Sequence, residues 1–317
     1  MLRSKVALVR STHKELIHEP EQGEFTYSLI HLSKTNLPIV LIFTYSYDVN
    51  ARALPYNVLM LEKIDIHLVD HCNLNCKGCT HFSPLAEKFF LDIDEFERDL
   101  TRFAELSKGE VGSIFMLGGE PLLHPEIVDF FPIARKLFPN TRLVIISNGI
   151  LLSQMEERFW KACKRYNIQL WISKYDLSVD LSPMAKKAAE YGVFYGYTST
   201  ARTKQDEKFW TKCPLDVEGG QYWLNSYKHC TLKNCATLKH GKLYPCCTIA
   251  HIEHFNKFFG KDLKVSDFDY VDIYKVESWD TLLNVMQAPH PFCKYCKTTN
   301  YQADVWGASH KDISEWT

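Results

Sequence analysis

Three cysteines fall within eight residues, at Cys72, Cys76 and Cys79, directly behind the apolar run Ile64-Asp65-Ile66-His67-Leu68-Val69-Asp70. The run reads as a strand, so the cysteines sit on a loop at a strand end. Three thiolates gathered on one loop are suited to hold a metal. A closed structural zinc site takes four ligands, so a zinc loop here would have to borrow His71, His81 or a distant cysteine. An iron–sulfur cube also takes four thiolates, and a cube held by three keeps one iron open to a small molecule.

Composition narrows what such a chain can be. Its 317 residues give room for one large domain, or for a large and a small one. A hydrophobic content of 46%, 24% charged residues and a formal net charge of −1 describe an ordinary globular protein. The near-zero charge gives no general argument for nucleic acid or an anionic membrane as a partner. The stretch Met1–Val6 lacks the apolar core and small-residue cleavage site of an export signal. The most apolar run, Leu37–Phe43, is too short to span a bilayer and contains proline. A cytoplasmic protein is expected.

The eleven cysteines are the departure from the ordinary. An odd number without an export signal argues against disulfides. They also cluster: Cys230, Cys235, Cys246, Cys247, Cys293 and Cys296 form a second group, and only Cys163 and Cys213 stand apart.

Residues 1–61 are weakly patterned and read as an N-terminal extension, with strands expected at 5–9 and 39–43 and a short helix near Tyr27–Leu32. From residue 62 the chain alternates. Strands are expected at 64–70, 111–117, 143–146, 168–172 and 193–197. Between them lie a helix capped by Asp92 or Asp94 and helices near 125–137, 154–166 and 183–191. Near-continuous apolar strands separated by helices mean a parallel sheet covered by helices, with its site at the C-terminal strand ends. A sixth strand must be irregular or lie beyond residue 200. Residues 201–229 are polar and turn-rich, a linker or substrate-side segment. Residues 230–300 hold the second cysteine group, and 301–317 form a tail expected to pack back on the domain.

Two further strand ends carry distinctive loops. The glycines of Gly118-Gly119-Glu120-Pro121 let backbone approach a ligand closely, and Glu120 can accept hydrogen bonds from a ligand's ammonium group. Ser147-Asn148-Gly149 offers hydroxyl and amide groups suited to ribose, although Asn-Gly is also a common turn. Ser173 and Lys174, behind the fourth strand, can face the same mouth.

In this order, Cys72, Cys76 and Cys79, Gly118-Gly119-Glu120-Pro121 and Ser147-Asn148-Gly149 resemble the radical S-adenosylmethionine (radical SAM) superfamily over residues 62–200. The resemblance implies an α/β fold, a partial (β/α)6 barrel whose three cysteines hold a [4Fe–4S] cluster. The open iron would chelate the amino and carboxylate groups of the methionine moiety. It further implies Gly118, Gly119 and Glu120 against the methionine amine and Ser147 and Asn148 as ribose neighbours; Ser173 is a further candidate cofactor contact, and a flavodoxin- or ferredoxin-type protein is the expected electron donor. The aromatic residue usual between the last two cysteines is absent. Lys77 and Gly78 stand there, which leaves the adenine contact on the loop unassigned.

In the second group, Cys235–Cys246 reads as a hairpin turning at His240-Gly241, so that Leu238 opposes Leu243 and Cys235 opposes Cys246. Opposed Cβ atoms lie about 4.5–5.5 Å apart, close enough to share a metal. Cys293-Lys294-Tyr295-Cys296 adds a C-x2-C pair and closes a four-thiolate site. The run from Cys230 through Gly241 to Cys246 resembles the opening of the SPASM/twitch extension of many radical SAM enzymes. In its short form that small C-terminal, cysteine-rich domain carries one auxiliary [4Fe–4S] cluster. Cys230, Cys235, Cys246, Cys293 and Cys296 thus compete for four places: hairpin geometry drops Cys230, and the resemblance keeps it. A zinc ribbon would use the same thiolates. Cys247 is expected to face away, and Cys163 to sit in a helix core. Cys213 is a candidate hydrogen-atom donor to a substrate radical. Lys212, Asp216 and Glu218 are candidates for binding or deprotonating substrate, and His251-Ile252-Glu253-His254 for a surface or substrate-side role.

The implied activity is reductive cleavage of S-adenosylmethionine to methionine and a 5′-deoxyadenosyl radical that abstracts hydrogen from a small molecule. Leu122-Leu123-His124-Pro125 and the Ser314-Glu315-Trp316 tail resemble a subgroup associated with surface-polysaccharide and sugar biosynthesis, pointing to a sugar or sugar nucleotide. Oxidation, epimerisation and elimination stay open. The alternatives are modification of a ribosomal peptide and, from another class, a zinc-stabilised binding protein without catalysis.

Overall fold

The computed structural model describes residues 61–175, 179–198, 207–233 and 235–317, together with short strands at 26–28, 42–44 and 203–204. The chain divides into a unit of residues 1–58 and one of residues 59–317. In the first, β1 (Thr26–Ser28) pairs antiparallel with β2 (Ile42–Thr44). β2 overlaps the strand expected at 39–43, whereas β1 takes the start of the stretch expected as a helix. The strand expected at 5–9 lies outside the described residues.

The second unit opens with β3 (Leu61–Val69), α1 (Ile93–Ser107), β4 (Val111–Gly118), α2 (Phe130–Leu137), β5 (Arg142–Ser147) and α3 (Glu157–Arg165). β6 (Ile168–Ile172), α4 (Ser182–Glu190) and β7 (Tyr195–Tyr197) follow. Strands β3 to β7 are parallel, each hydrogen-bonded to the next. Strand alternation explains the layering. Ile64, Ile66 and Leu68 of β3 are buried in one core with Phe96, Leu100 and Phe103 of α1 and Phe130 and Phe131 of α2. α1 starts where Asp92 stops the loop: its carboxylate accepts from the backbone N–H groups of Asp94 and Glu95, both at 3.0 Å.

Next come β8 (Thr203–Lys204), β9 (Glu207–Lys212), α5 (Trp223–His229), β10 (Thr237–Lys239), β11 (Lys242–Tyr244) and α6 (Cys247–Phe259). β12 (Val271–Asp272), α7 (Trp279–Met286) and β13 (Gln302–Val305) complete the chain's main elements. The β10–β11 hairpin has the expected register, with Leu238 opposite Leu243. His240 and Gly241 have φ of 49° and 69°, the left-handed pair a two-residue hairpin turn requires.

β10 also pairs in parallel with β3, through Thr237 and Asp65. It is the sixth parallel strand, found past residue 200 and on the β3 side of the sheet. The hairpin tip is held on α1, where the Gly241 N–H donates to Asp99 at 2.6 Å and His240 Nδ1 lies 2.6 Å from Glu95 Oε1. The result is one open eight-stranded sheet in the order β12-β11-β10-β3-β4-β5-β6-β7. A separate sheet runs β13-β9-β8. Among the described residues no helix is long and apolar enough to cross a membrane.

Candidate active site

The C-terminal ends of β3, β4 and β5 meet at the cysteine loop, and the two glycines after β4 make that meeting possible. A Cβ on Gly118, whose φ is +147°, would lie 1.9 Å from the Val69 carbonyl oxygen, and one on Gly119 would lie 2.0 Å from that of His71. The close approach is therefore to the backbone leading into the cysteines. The Gly119 N–H donates to Val69 O at 2.7 Å and the Glu120 N–H to His71 O at 3.1 Å.

Glu120 is the residue that the resemblance sets against the methionine amine. Its side chain does not line the ligand cavity but is fully buried behind it. The carboxylate accepts from Ser147 Oγ at 2.8 Å and from the N–H groups of Asn148 at 2.9 Å and Leu122 at 3.1 Å. Burial pushes its pKa up to about 7, against those three donors. Glu120 thus ties the β4 end to the β5 end. Asn148 carries the tie onward, donating from Nδ2 to Asn73 Oδ1 at 2.7 Å and approaching Cys72 Sγ at 3.9 Å.

Cys72, Cys76 and Cys79 line one cavity of about 140 Å³ with Gly118, Gly119, Ser147, Asn148 and Ser173. The residues fit a three-cysteine iron–sulfur cluster and a polar cofactor. Three soft sulfurs suit iron, and polar strand-end groups share the same wall. Burial raises the Cys72 thiol to about 12, so it needs a metal to give up its proton. His81, named above as a ligand a zinc loop could borrow, also lines it, together with two polar residues not singled out in the sequence, Ser83 and Tyr175. Tyr175 follows Ser173 by two residues, the only signal that could have found it.

The tail packs on this loop. The Lys77 N–H donates to Gly307 O at 2.9 Å, that of Ser309 to Asn75 O at 2.7 Å, and Asn75 Nδ2 returns a bond to Ser309 O at 2.7 Å. Glu315 is buried and holds the turn, accepting from Ser309 Oγ at 2.5 Å and the His310 N–H at 2.6 Å.

The second cysteine group assembles differently from the expected hairpin pairing. Cys213, Cys230, Cys246 and Cys296 line a cavity of about 30 Å³. Burial, and then the neighbouring sulfurs of Cys230, Cys293 and Cys235, push the Cys246 thiol well up. Neither Cys293 nor Cys235 lines that cavity. The hairpin ladder ends at Thr237 and Tyr244, Pro245 has no N–H to extend it, and Cys246 turns the chain into α6. The Cys235 thiol instead donates to Asp65 Oδ2 at 3.1 Å, with Lys63 Nζ 3.7 Å away.

Cys213, the candidate hydrogen-atom donor, lines this second cavity and not the first. The backbone explains this. Residues 214–216 lie antiparallel to 295–297, through the Asp216 N–H to Tyr295 O at 2.8 Å and the Lys297 N–H to Pro214 O at 2.9 Å. The Cys213 thiol lies close enough to Cys296 to have its pKa lowered by it. Nearby polar groups serve the backbone: Asp216 accepts from the N–H groups of Glu218 and Gly220, and Lys212 Nζ donates to Ser314 O. Cys163 is a core residue, as expected, and Cys247 is buried.

His251 and His254, expected on the surface or facing substrate, are packed against β3 and the residues just beyond it. The His251 ring stacks on that of His67 at 3.7 Å, and His254 Nε2 lies 3.2 Å from Asp70 Oδ2. His67 Nδ1 is 2.9 Å from Asp70 Oδ1. Burial lowers the His67 pKa to about 4 despite that carboxylate, so the ring is neutral near pH 7. Lys239, 3.5 Å from Asp70 Oδ2 and 2.7 Å from Glu253 Oε1, supplies the cation. The network binds α6, which begins at the second cysteine group, to the strand that feeds the first.

Comparison with known proteins matches residues 66–180 to the family model described as "Radical SAM superfamily". GTP 3′,8-cyclase of Microcystis aeruginosa is 32% identical over 120 residues, covering 35% of this chain and 34% of the relative. Molybdenum cofactor biosynthesis protein 1 of Bos taurus is 30% identical over 120 residues, covering 35% and 19%. The chain thus spans about a third or less of the length of these relatives. Among solved structures, BtrN in complex with AdoMet and 2-DOIA aligns over 74% of this chain and 92% of its own, with 15% identity and a TM-score of 0.46. SuiB of Streptococcus suis aligns over 45% and 33%, with 22% identity and a TM-score of 0.35.

Proposed function

Residues 66–180 are a radical SAM domain, and from that premise we propose that the chain cleaves S-adenosylmethionine reductively and abstracts hydrogen from a sugar or sugar nucleotide. The domain's cofactors are a [4Fe–4S] cluster and S-adenosylmethionine. The observation that carries the proposal is the shared wall: three cysteines, a double glycine and the Ser147-Asn148 strand end line one cavity. When bound, the cluster would supply the one electron that reductive cleavage of S-adenosylmethionine requires. Cys72, Cys76 and Cys79 would hold that cluster. Gly118 and Gly119 hold the cysteine loop at the distance the cavity needs, and Glu120 keeps the β4 and β5 ends in register behind it.

The convergence of thiols supports Cys230, Cys246, Cys293 and Cys296 as ligands of an auxiliary [4Fe–4S] cluster, with Cys213 the fifth sulfur beside them. The electron donor is a flavodoxin- or ferredoxin-type protein. The carbohydrate substrate rests on the sequence resemblance. Deuterium transfer tests it: anaerobic incubation with ring-deuterated UDP-glucose, UDP-N-acetylglucosamine and the free sugars should put deuterium into 5′-deoxyadenosine for at least one of them. Transfer from none of these, with transfer from a deuterated peptide library, would replace the carbohydrate reading by the peptide one.

A further inference from the structure

The loop position that would carry an aromatic residue beside the cysteines is Gly78, and the structure explains why it carries none. Its φ is +59°, a conformation that a bulky aromatic residue adopts only with strain. Gly78 also lines the second cysteine cavity and not the first. An aromatic side chain grown at Gly78 would therefore start from the wrong wall.

A different aromatic stands on the right one. Tyr175 follows Ser173 by two residues, on the loop leaving β6, and lines the first cavity with the three cysteines. Burial, and then negative charge on Cys76, Cys79 and Cys72, holds its phenol well above the usual range, so the ring is neutral. Trp306 backs it at 5.7 Å between ring centroids, with planes at 57°. The Trp306 indole N–H is buried without an acceptor. Trp306 is fixed relative to the cysteines because the next residue, Gly307, accepts the Lys77 N–H. An aromatic face thus stands on the wall of the three-cysteine cavity, and the ring that backs it carries an unmet donor.

We propose that Tyr175, backed by Trp306, is the aromatic contact for the adenine of S-adenosylmethionine in this chain, with the Trp306 N–H its hydrogen-bond donor. The inference rests on the radical SAM reading. A base stacked on an aromatic side chain is worth about 1–3 kcal/mol, which is roughly 5- to 150-fold in affinity. The test uses the anaerobically reconstituted enzyme, with S-adenosylmethionine affinity from equilibrium dialysis. Perturbation of the reduced cluster's EPR spectrum by L-methionine alone reports the other end of the cofactor.

Tyr175→Leu should lose roughly 5- to 150-fold in S-adenosylmethionine affinity and leave the methionine perturbation intact. Tyr175→Phe, which keeps the ring, should stay within about threefold of wild type, a loss smaller than one hydrogen bond is worth. Trp306→Phe should lose roughly 3- to 10-fold, the worth of one hydrogen bond. Unchanged affinity in Tyr175→Leu, or equal losses for S-adenosylmethionine and methionine, overturns the assignment. Should Tyr175→Leu not load its cluster, Trp306→Phe decides, and wild-type affinity there overturns it. A wild-type spectrum that S-adenosylmethionine perturbs keeps the radical SAM reading intact whichever way the variants fall.

Discussion

The indole Nε1 of Trp316 donates to the carbonyl oxygen of Cys79 at 2.9 Å. The same residue's carbonyl accepts the N–H of Leu215 at 2.7 Å, two positions after Cys213. Its ring is 3% exposed and lies near Phe82 and Phe259, with centroids 6.4 and 5.9 Å away. One residue near the C-terminus therefore touches both cysteine regions, through its side chain at Cys79 and its carbonyl at Leu215.

Trp316→Phe keeps most of the packing and removes the bond to Cys79. It should cost about 0.5–1.5 kcal/mol in urea unfolding and speed iron loss from the first site to a chelator. Trp316→Ala also empties the space between the phenylalanines and should cost about 3–5 kcal/mol. Equal iron-release rates in wild type and Trp316→Phe would show that the tail does not restrain the loop.

Glu120 gives a pH signature. Its folded pKa of about 7 stands above the 4.5 of a free glutamate, so the folded state holds the extra proton. The stability it contributes is fully present below about pH 4.5 and is lost as pH rises through about 7. Between pH 5.5 and 7.5 that loss is about 2 kcal/mol. His67, neutral when folded, works in the opposite direction, because the unfolded state gains its proton below about 6.5. Urea unfolding of wild type and Glu120→Gln at both pH values isolates the glutamate. The wild type should lose about 2 kcal/mol more than the variant, and parallel pH profiles would refute it.

Gly119→Ala would push a Cβ into the His71 backbone, which cannot swing aside as a side chain would. The first site should lose its iron, leaving about four irons per chain in place of about eight. Gly260→Ala is the control. It also has positive φ, +59°, but open space around it, so it should cost about 1 kcal/mol and keep its iron.

Cysteine identity at the second site separates the two candidate sets by iron count. Cys230→Ala should lose roughly four irons, whereas Cys235→Ala should keep the wild-type content because its thiol is engaged with Asp65. The reverse pattern would restore the hairpin assignment.

Much of this arrangement was legible along the chain because it is local. β3 and its cysteine loop, the β4 and β5 strand ends, the Asp92 cap and the Leu238–Leu243 register each follow from a few neighbouring residues. The misplaced residues depend on distant ones. Cys235 leaves its expected partner because α6 begins at Cys247 and Asp65 offers an acceptor. Cys213 joins the second group because 214–216 lie beside 295–297. Glu120 turns inward because Ser147 and Asn148, on the next strand, supply its donors. Tyr175 and Trp306 meet across more than a hundred residues, and no short pattern announces such a pair.

The central claim is that Cys72, Cys76 and Cys79 hold a cluster that cleaves S-adenosylmethionine. Anaerobically reconstituted protein, given dithionite and S-adenosylmethionine, should be brown and release 5′-deoxyadenosine, and Cys76→Ala should release none. Colourless protein carrying stoichiometric zinc, or 5′-deoxyadenosine formed by Cys76→Ala at the wild-type rate, would contradict it.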